Sequence, residues 1–314
     1  MNGSLKKIVL IVVAVAVVAG AAAAVIGLLG GITPRQAGGV GIGPGRTENV
    51  DQVKTLPLSG VDRIEISVVS SDVSVTESVD GSVTARLSGS VGASGAFTVP
   101  ELIAEMRGGT AVFRVDYKKA SVVMGWYRAN LKLEVAIPKG YRGALAVNSV
   151  SASIQVPEGR TFTTLDVGSV SGRIELGAFT ANEFRAHTVS GDLQGSASAK
   201  SADLSTTSGD IAFGGFTGDA RAHSVSGEVD IAWRSFSGQV EIGTTSGDVT
   251  LGIPAGSGFR LDAGSTSGRI TTDHPVTVKG STSGAGRRSL EGDVGSGAGS
   301  VKVRTVSGSI DIGK

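Results

Sequence analysis

The feature that most restricts this chain is a turn that returns about every twenty residues. It reads GSVSGRIEL from Gly168, HTVSGDLQG from His187, STTSGDIAF from Ser205, HSVSGEVDI from His223, GTTSGDVTL from Gly243, GSTSGRITT from Gly264 and RTVSGSIDI from Arg304. With the serine before the glycine as a marker, the series is Ser151 (followed by Ala152), Ser171, Ser190, Ser208, Ser226, Ser246, Ser267 and Ser307. The spacings are 20, 19, 18, 18, 20 and 21, then 40, which reads as two turns of twenty. A period of this size is the mark of a solenoid, in which each repeat is one coil.

Aligning the copies on the marker shows which way each residue faces. Four positions before it stand Val167, Ala186, Leu204, Ala222, Ile242 and Ala263; six before it stand Leu165, Phe184, Ala202, Ala220, Val240 and Leu261. The position between them holds Asp166, Arg185, Asp203, Arg221, Glu241 and Asp262. Alternation with period two is a strand with one buried face. Beyond the turn the pattern resumes at Ile174, Leu193, Ile211, Val229, Val249 and Ile270, and Phe162, Phe179, Phe216, Phe236 and Phe259 are expected to fill the interior near the opposite corner. Each coil therefore reads as strand, Ser-Gly corner, strand, second corner. No coil can bury its apolar face alone, so the coils must stack.

The fold class that follows is all-β, a parallel β-helix or β-solenoid of coils of about 18–21 residues, over residues 56–314. Residues 147–314 carry the regular turns and 56–146 a less regular opening, where Ile64, Ile66 and Val68, then Val73 and Val75, keep the same alternation around SSD. The glycine of each turn supplies either a positive φ or room for close backbone approach. The strand ending at Ile312 is expected to close the array with an open edge, which would permit weak end-to-end self-association.

The first 32 residues are a separate object. Ile8 to Ile32 is 25 residues without a charge, about 37 Å as a helix, and suffices to cross a bilayer. Lys6 and Lys7 precede it, which predicts a single-pass signal anchor with the amino terminus inside and the solenoid extracytoplasmic at the cell membrane. The alternative is a secreted or periplasmic protein, after cleavage near Ala21–Ala24. Residues 33–55, rich in glycine, read as a linker.

Composition removes several kinds of chemistry. There are no cysteines, so no disulfides, thiolate metal sites or thiol nucleophile. A net charge of +1 gives no electrostatic case for nucleic acid. A catalytic serine needs one privileged neighbourhood, whereas the marker serine recurs in equivalent settings, so it reads as scaffold and no catalytic residue is assigned. Two residues after the marker, Asp192, Asp210, Glu228 and Asp248 form an acidic column, with Arg173 and Arg269 in the same column on either side. At a rung spacing of about 4.8 Å, neighbours in it could share a calcium ion, although the nonapeptide calcium pattern is absent, and the column equally fits a solvated edge. His187 and His223 share a column with Ser205 between them, about 9.6 Å apart and too far for one metal, and His274 stands alone before Pro275. Arg185, Asp203, Arg221 and Glu241 alternate in sign, which locks register. No cofactor is expected.

The repeated TVSGDI-style turn, following an apolar leader and ending in LEGDVGSG and VKVRTVSGSIDI, resembles the bacterial putative-adhesin family of β-strand-repeat domains of unknown function, over roughly Val61 to Ile312. The resemblance implies an envelope-facing β-helix-like domain and surface adhesion, and brings no catalytic or binding residue with it. The expected function is a non-enzymatic, membrane-anchored binding or structural module of the envelope, with a glycan, peptide or protein as ligand. Two other readings stay open: an envelope-stress sensor acting through a membrane partner, and a polysaccharide-active β-helix enzyme. The enzyme would need carboxylates, a basic residue and aromatic platforms in one groove, and Trp126 and Trp233 are too distant in sequence to assign to one.

Overall fold

The computed structural model describes residues 45–94, 97–117, 126–280 and 288–314. The expected transmembrane helix and linker residues 33–44 lie outside these. The described residues are all-β, and none of them forms a helix long and apolar enough to cross a membrane.

The chain opens with β1 (Arg46–Pro57), β2 (Arg63–Ser67), β3 (Asp72–Ser78), β4 (Ser82–Ala93), β5 (Glu101–Arg107), β6 (Thr110–Asp116) and β7 (Tyr127–Pro138). The regular coils follow in β8 (Ala144–Asn148), β9 (Ile154–Val156), β10 (Arg160–Ser169), β11 (Ile174–Thr188), β12 (Leu193–Ser205), β13 (Ile211–His223), β14 (Val229–Trp233), β15 (Gln239–Gly243) and β16 (Val249–Gly252). The chain closes with β17 (Phe259–Ser265), β18 (Ile270–Thr272), β19 (Val276–Gly280), β20 (Arg288–Val294), β21 (Gly299–Thr305) and β22 (Ile310–Gly313). The first of these corrects the linker boundary. Residues 46–55, expected in the linker, belong to β1, which pairs antiparallel with β4 from Arg46↔Ala93 to Pro57↔Ser82. Their hydrophobic alternation is too sparse to read, because only Val50 of that strand is fully buried.

The repeat builds the stack that the alternation predicts. Leu165, Phe184, Ala202, Ala220 and Val240 are in parallel register on successive coils, as are Val167, Ala186, Leu204, Ala222 and Ile242, and all are buried. A register shift between Leu176 and Phe179 and an unpaired Asn182 divide a coil such as β11 into three short paired runs, 174–176, 179–181 and 183–187, rather than two strands. Phe162, Phe179, Phe216, Phe236 and Phe259 are buried as expected. Phe216, Trp233, Phe236, Phe259 and His274 form a continuous edge-to-face ladder, with ring centroids 5.3–5.7 Å apart.

The order of coils along the stack differs from their order along the chain at both ends. The first coil of the chain, β2–β3, lies second in the stack: β2 pairs with β6 on one side and β8 on the other, and β3 with β7 and β9. The last coil, β21–β22, is inserted in the same way. β21 pairs with β15 and β17, and β22 with β16 and β18. The interval of 40 from Ser267 to Ser307 is therefore not two successive turns; it holds β19 and β20, after which the chain steps back one place. Ile312 is fully buried between Leu251 and Thr272, so the open edge expected there does not exist.

Antiparallel strands close both ends. β4 lies against β7 and β5 against β6 at one end, while β20 lies against β17 and β19 against β20 at the other. Such strands cover edges that would otherwise offer unpaired backbone groups.

Candidate ligand-binding surface

The Ser-Gly turn resolves into a buried device and an exposed edge. The marker serines are exposed, and the buried hydroxyls are those two residues earlier: Ser149, Ser169, Thr188, Thr206, Ser224, Thr244, Ser265 and Thr305. In most coils this hydroxyl accepts the amide of the turn glycine, as in Gly172 to Ser169 (2.8 Å), Gly191 to Thr188 (2.9 Å), Gly209 to Thr206 (2.9 Å) and Gly227 to Ser224 (2.7 Å). Ala152 keeps the arrangement, its amide donating to Ser149 at 3.0 Å. Sequence reasoning missed this column, although its signal was present: every marker is preceded at that position by serine or threonine.

The turn glycines do not have positive φ. They are required because a Cβ on each of Gly172, Gly191, Gly209, Gly227 and Gly247 would overlap the carbonyl oxygen of the equivalent residue in the preceding coil. Of the two reasons open at the sequence level, close backbone approach is the one the fold uses.

The acidic column exists, and its three aspartates have backbone partners. Asp192 Oδ1 accepts the Asp210 amide (3.2 Å), Asp210 Oδ1 accepts that of Glu228 (2.8 Å), and Asp248 Oδ1 accepts that of Ser309 (2.7 Å). Arg173 adds a contact to Asp192 at 3.2 Å. Because β22 is inserted, Ser309 separates Asp248 from Arg269, whose amide reaches Ser309 Oγ at 3.4 Å. Among the described residues no group of three or more His, Asp or Glu side chains is placed to hold a metal ion.

The three histidines occupy separate places. His187 lies over Gly168 of the preceding coil, and His223 lies over Gly243 of the following one, so the two rings turn away from each other. His274 is buried at the end of the aromatic ladder, with Nε2 3.2 Å from the Gly313 carbonyl. Trp233 is 5% exposed and belongs to the core, while Trp126 is 46% exposed beside β1 and β4, so they share no groove. The alternating charge column is longer than expected. In stack order it runs Asp166, Arg185, Asp203, Arg221, Glu241, Lys302 and Asp262. Glu241 meets Arg221 at 3.4 Å and Lys302 at 3.2 Å, whereas Arg185 turns to Glu183 on its own coil.

Arg160 is a buried cation, 2% exposed, that ties three coils together. It donates to the carbonyls of Ile137 and Pro138 at 3.3 Å and lies 3.8 Å from Glu77. Burial pushes its pKa down, against the opposing pull of Glu77.

A depression on the described surface lies on the side that follows the turn. Ser74, Gln155, Glu175 and Gln194 stand in register on four coils, and Glu175 accepts hydrogen bonds from Gln155 (3.1 Å) and Gln194 (3.0 Å). Beside them Pro157, Gly177 and Gly195 line the depression, which is shallow and open to solvent and has a volume of about 460 Å³. A volume of that size accommodates a small ligand or a segment of a polymer. The row of amides and one carboxylate offers hydrogen-bond donors and acceptors at a repeat of about 4.8 Å along the stack.

Comparison with known proteins adds the following. Residues 61–313 match the model of the family described as Toastrack DUF4097. A structure of a "putative adhesin" from Bacteroides fragilis is similar over 84% of this chain and 97% of its own, at 14% identity and a TM-score of 0.50, a likeness of fold. A "putative adhesin" from Parabacteroides distasonis aligns over 86% and 97% of the two chains, at 11% identity and a TM-score of 0.43. A "putative lipid binding protein" from the same organism aligns over 83% and 96%, at 14% identity and a TM-score of 0.41. No curated protein matches the chain.

Proposed function

Because the chain belongs to the Toastrack DUF4097 family, we propose that it is a non-catalytic binding module of the bacterial envelope, of the adhesin type, held at the membrane by Ile8–Ile32 and displayed outside. The observation that carries this reading is the form in which its polar groups are presented. Carboxylates, amides and charges stand in exposed columns that repeat from coil to coil and bind one another or the backbone, an arrangement suited to displaying a rigid face. The name of the Bacteroides fragilis neighbour is in keeping with it.

The face best suited to a ligand is the depression along Ser74, Gln155, Glu175 and Gln194. Amide and carboxylate groups repeated along one axis match an extended, hydroxyl-rich polymer, so an envelope glycan strand is the ligand class proposed. The test is retention of the detergent-solubilised full chain on immobilised envelope glycans, peptidoglycan and protein extracts, with and without calcium, while soluble products are followed. Retention on one glycan, reduced tenfold or more in a Gln155→Ala, Glu175→Ala, Gln194→Ala variant, is the expected result. Release of unsaturated sugars would overturn the non-catalytic reading. Retention on protein alone would overturn the glycan.

A further inference from the structure

The described residues contain two exposed large aromatic side chains, and they are adjacent: Trp126, 46% exposed, and Tyr127, 41% exposed. Their position is set by the antiparallel cap at the β6–β7 end of the stack. Tyr127 pairs with Ala93 across β7–β4, and Ala93 pairs with Arg46 across β4–β1, so the ends of three strands meet here. Trp126 is fixed to this end by its own backbone. Its amide donates to Ser94 Oγ and its carbonyl accepts the Ser94 amide, both at 3.0 Å.

The indole has a built seat. A Cβ on Gly45 would overlap the ring, and one on Gly92 would crowd it at 3.0 Å, so both glycines leave space for a tryptophan that nevertheless keeps nearly half its surface outside. Arg128, two residues on, is exposed on the same face, while Tyr127 and Arg46, in register through Ala93, lie on the other face of the ribbon and are exposed at the same end of it, with Glu48 2.8 Å from Arg46. A seated, half-exposed tryptophan with a tyrosine and two arginines is the chemistry that partitions to the boundary between lipid headgroups and acyl chains.

The chain outside the described residues says which lipid surface is within reach. The segment that enters at Gly45 carries the uncharged run Ile8–Ile32, and only the twelve residues Thr33 to Pro44 separate the two. Fully extended, twelve residues span at most about 43 Å. We propose that the cap formed by Trp126, Tyr127, Arg46 and Arg128 rests in the headgroup layer of the membrane that Ile8–Ile32 enters, so that the solenoid is held in one orientation instead of swinging on a tether. This rests on the anchoring assigned under the proposed function. It makes the β17–β20 end of the stack the distal one.

Two tryptophans make the test direct, because Trp233 is enclosed in the aromatic ladder and Trp126 is not. The full chain and its Trp126→Phe variant are reconstituted into vesicles of phosphatidylcholine and phosphatidylglycerol, with and without brominated acyl chains. Each sample is first floated on a density gradient, and emission is read from the floating fraction. The expected result is that brominated lipid removes half or more of the emission difference between the two proteins, with Trp233 emission unchanged. Flotation with an unquenched difference would overturn this inference and leave the anchor standing. A chain that does not float would overturn the anchor and the inference with it.

Discussion

At Gly227 a methyl group would overlap the Gly209 carbonyl oxygen of the coil before, and the same is true of Gly209 over Gly191. Backbone packed against backbone cannot give way as a flexible side chain can. Gly227→Ala is therefore expected to destabilise the protein by about 1–3 kcal/mol or more, seen as a fall in the denaturation midpoint of the full chain in detergent. Gly140→Ala, where nothing lies within 4 Å and φ is ordinary, should leave the midpoint within about 0.5 kcal/mol or raise it slightly. The hydroxyl column carries a second contrast. Thr206 is buried and accepts the Gly209 amide, so Thr206→Val leaves that donor unpaired at a cost of about 1–3 kcal/mol. Ser208→Ala, at the exposed marker, should cost under about 0.5 kcal/mol. Equal losses from the two would show that the turn is held by the marker serine after all. The marker stands out in the sequence because serine recurs there in every copy and glycine follows it in all but the first. The residue that holds the turn was less visible, because serine and threonine alternate at it.

At the scale of the coil, the charge column shows how a strand finds its neighbour. Read along the chain, Glu241 would be followed by Asp262, two like charges on adjacent rungs. The inserted β21 places Lys302 between them and keeps the signs alternating through seven rungs. Lys302→Glu would set three acids in succession, and it is expected to destabilise the β15–β21–β17 region by about 1 kcal/mol, an effect that shrinks as salt is added. An unchanged midpoint at low salt would mean that apolar contacts alone hold the inserted coil. The acidic column teaches a related lesson. Its spacing was legible in the sequence and its role was not, because the amides of Asp210, Glu228 and Ser309 that its carboxylates accept come from the coil that stacks next. The Gln155–Glu175–Gln194 row was missed for the same reason: no single coil contains more than one of its members.

For the molecule as a whole, the two displaced coils mean that the coils nearest the chain termini are paired on both edges. Terminal strands ordinarily fray, since they are paired on one side only. Here the Ile310 amide donates to the Arg269 carbonyl at 2.8 Å, while β16 covers the other edge of β22. Hydrogen exchange is expected to place Ile310 and Ile312 in the slowest class with the central strands β11–β13, and ahead of the short β18, which pairs with β22 alone among the described strands. Rapid exchange at Ile310 would show that the last coil opens independently of the stack. What the sequence by itself determined is the coil: a period of 18–21 residues, the faces of its strands, the small residue at the corner and the interior phenylalanines, all local consequences of a two-residue alternation and a turn that must be tight. What only the tertiary structure decided is the order in which coils meet, and with it the caps, the position of Lys302, the partners of the acidic column and the seat of Trp126. Near-equivalent repeats present nearly the same edge to any neighbour, so local pattern leaves the choice almost open. The choice is settled by contacts between residues far apart in the chain, which exist only once the stack has formed.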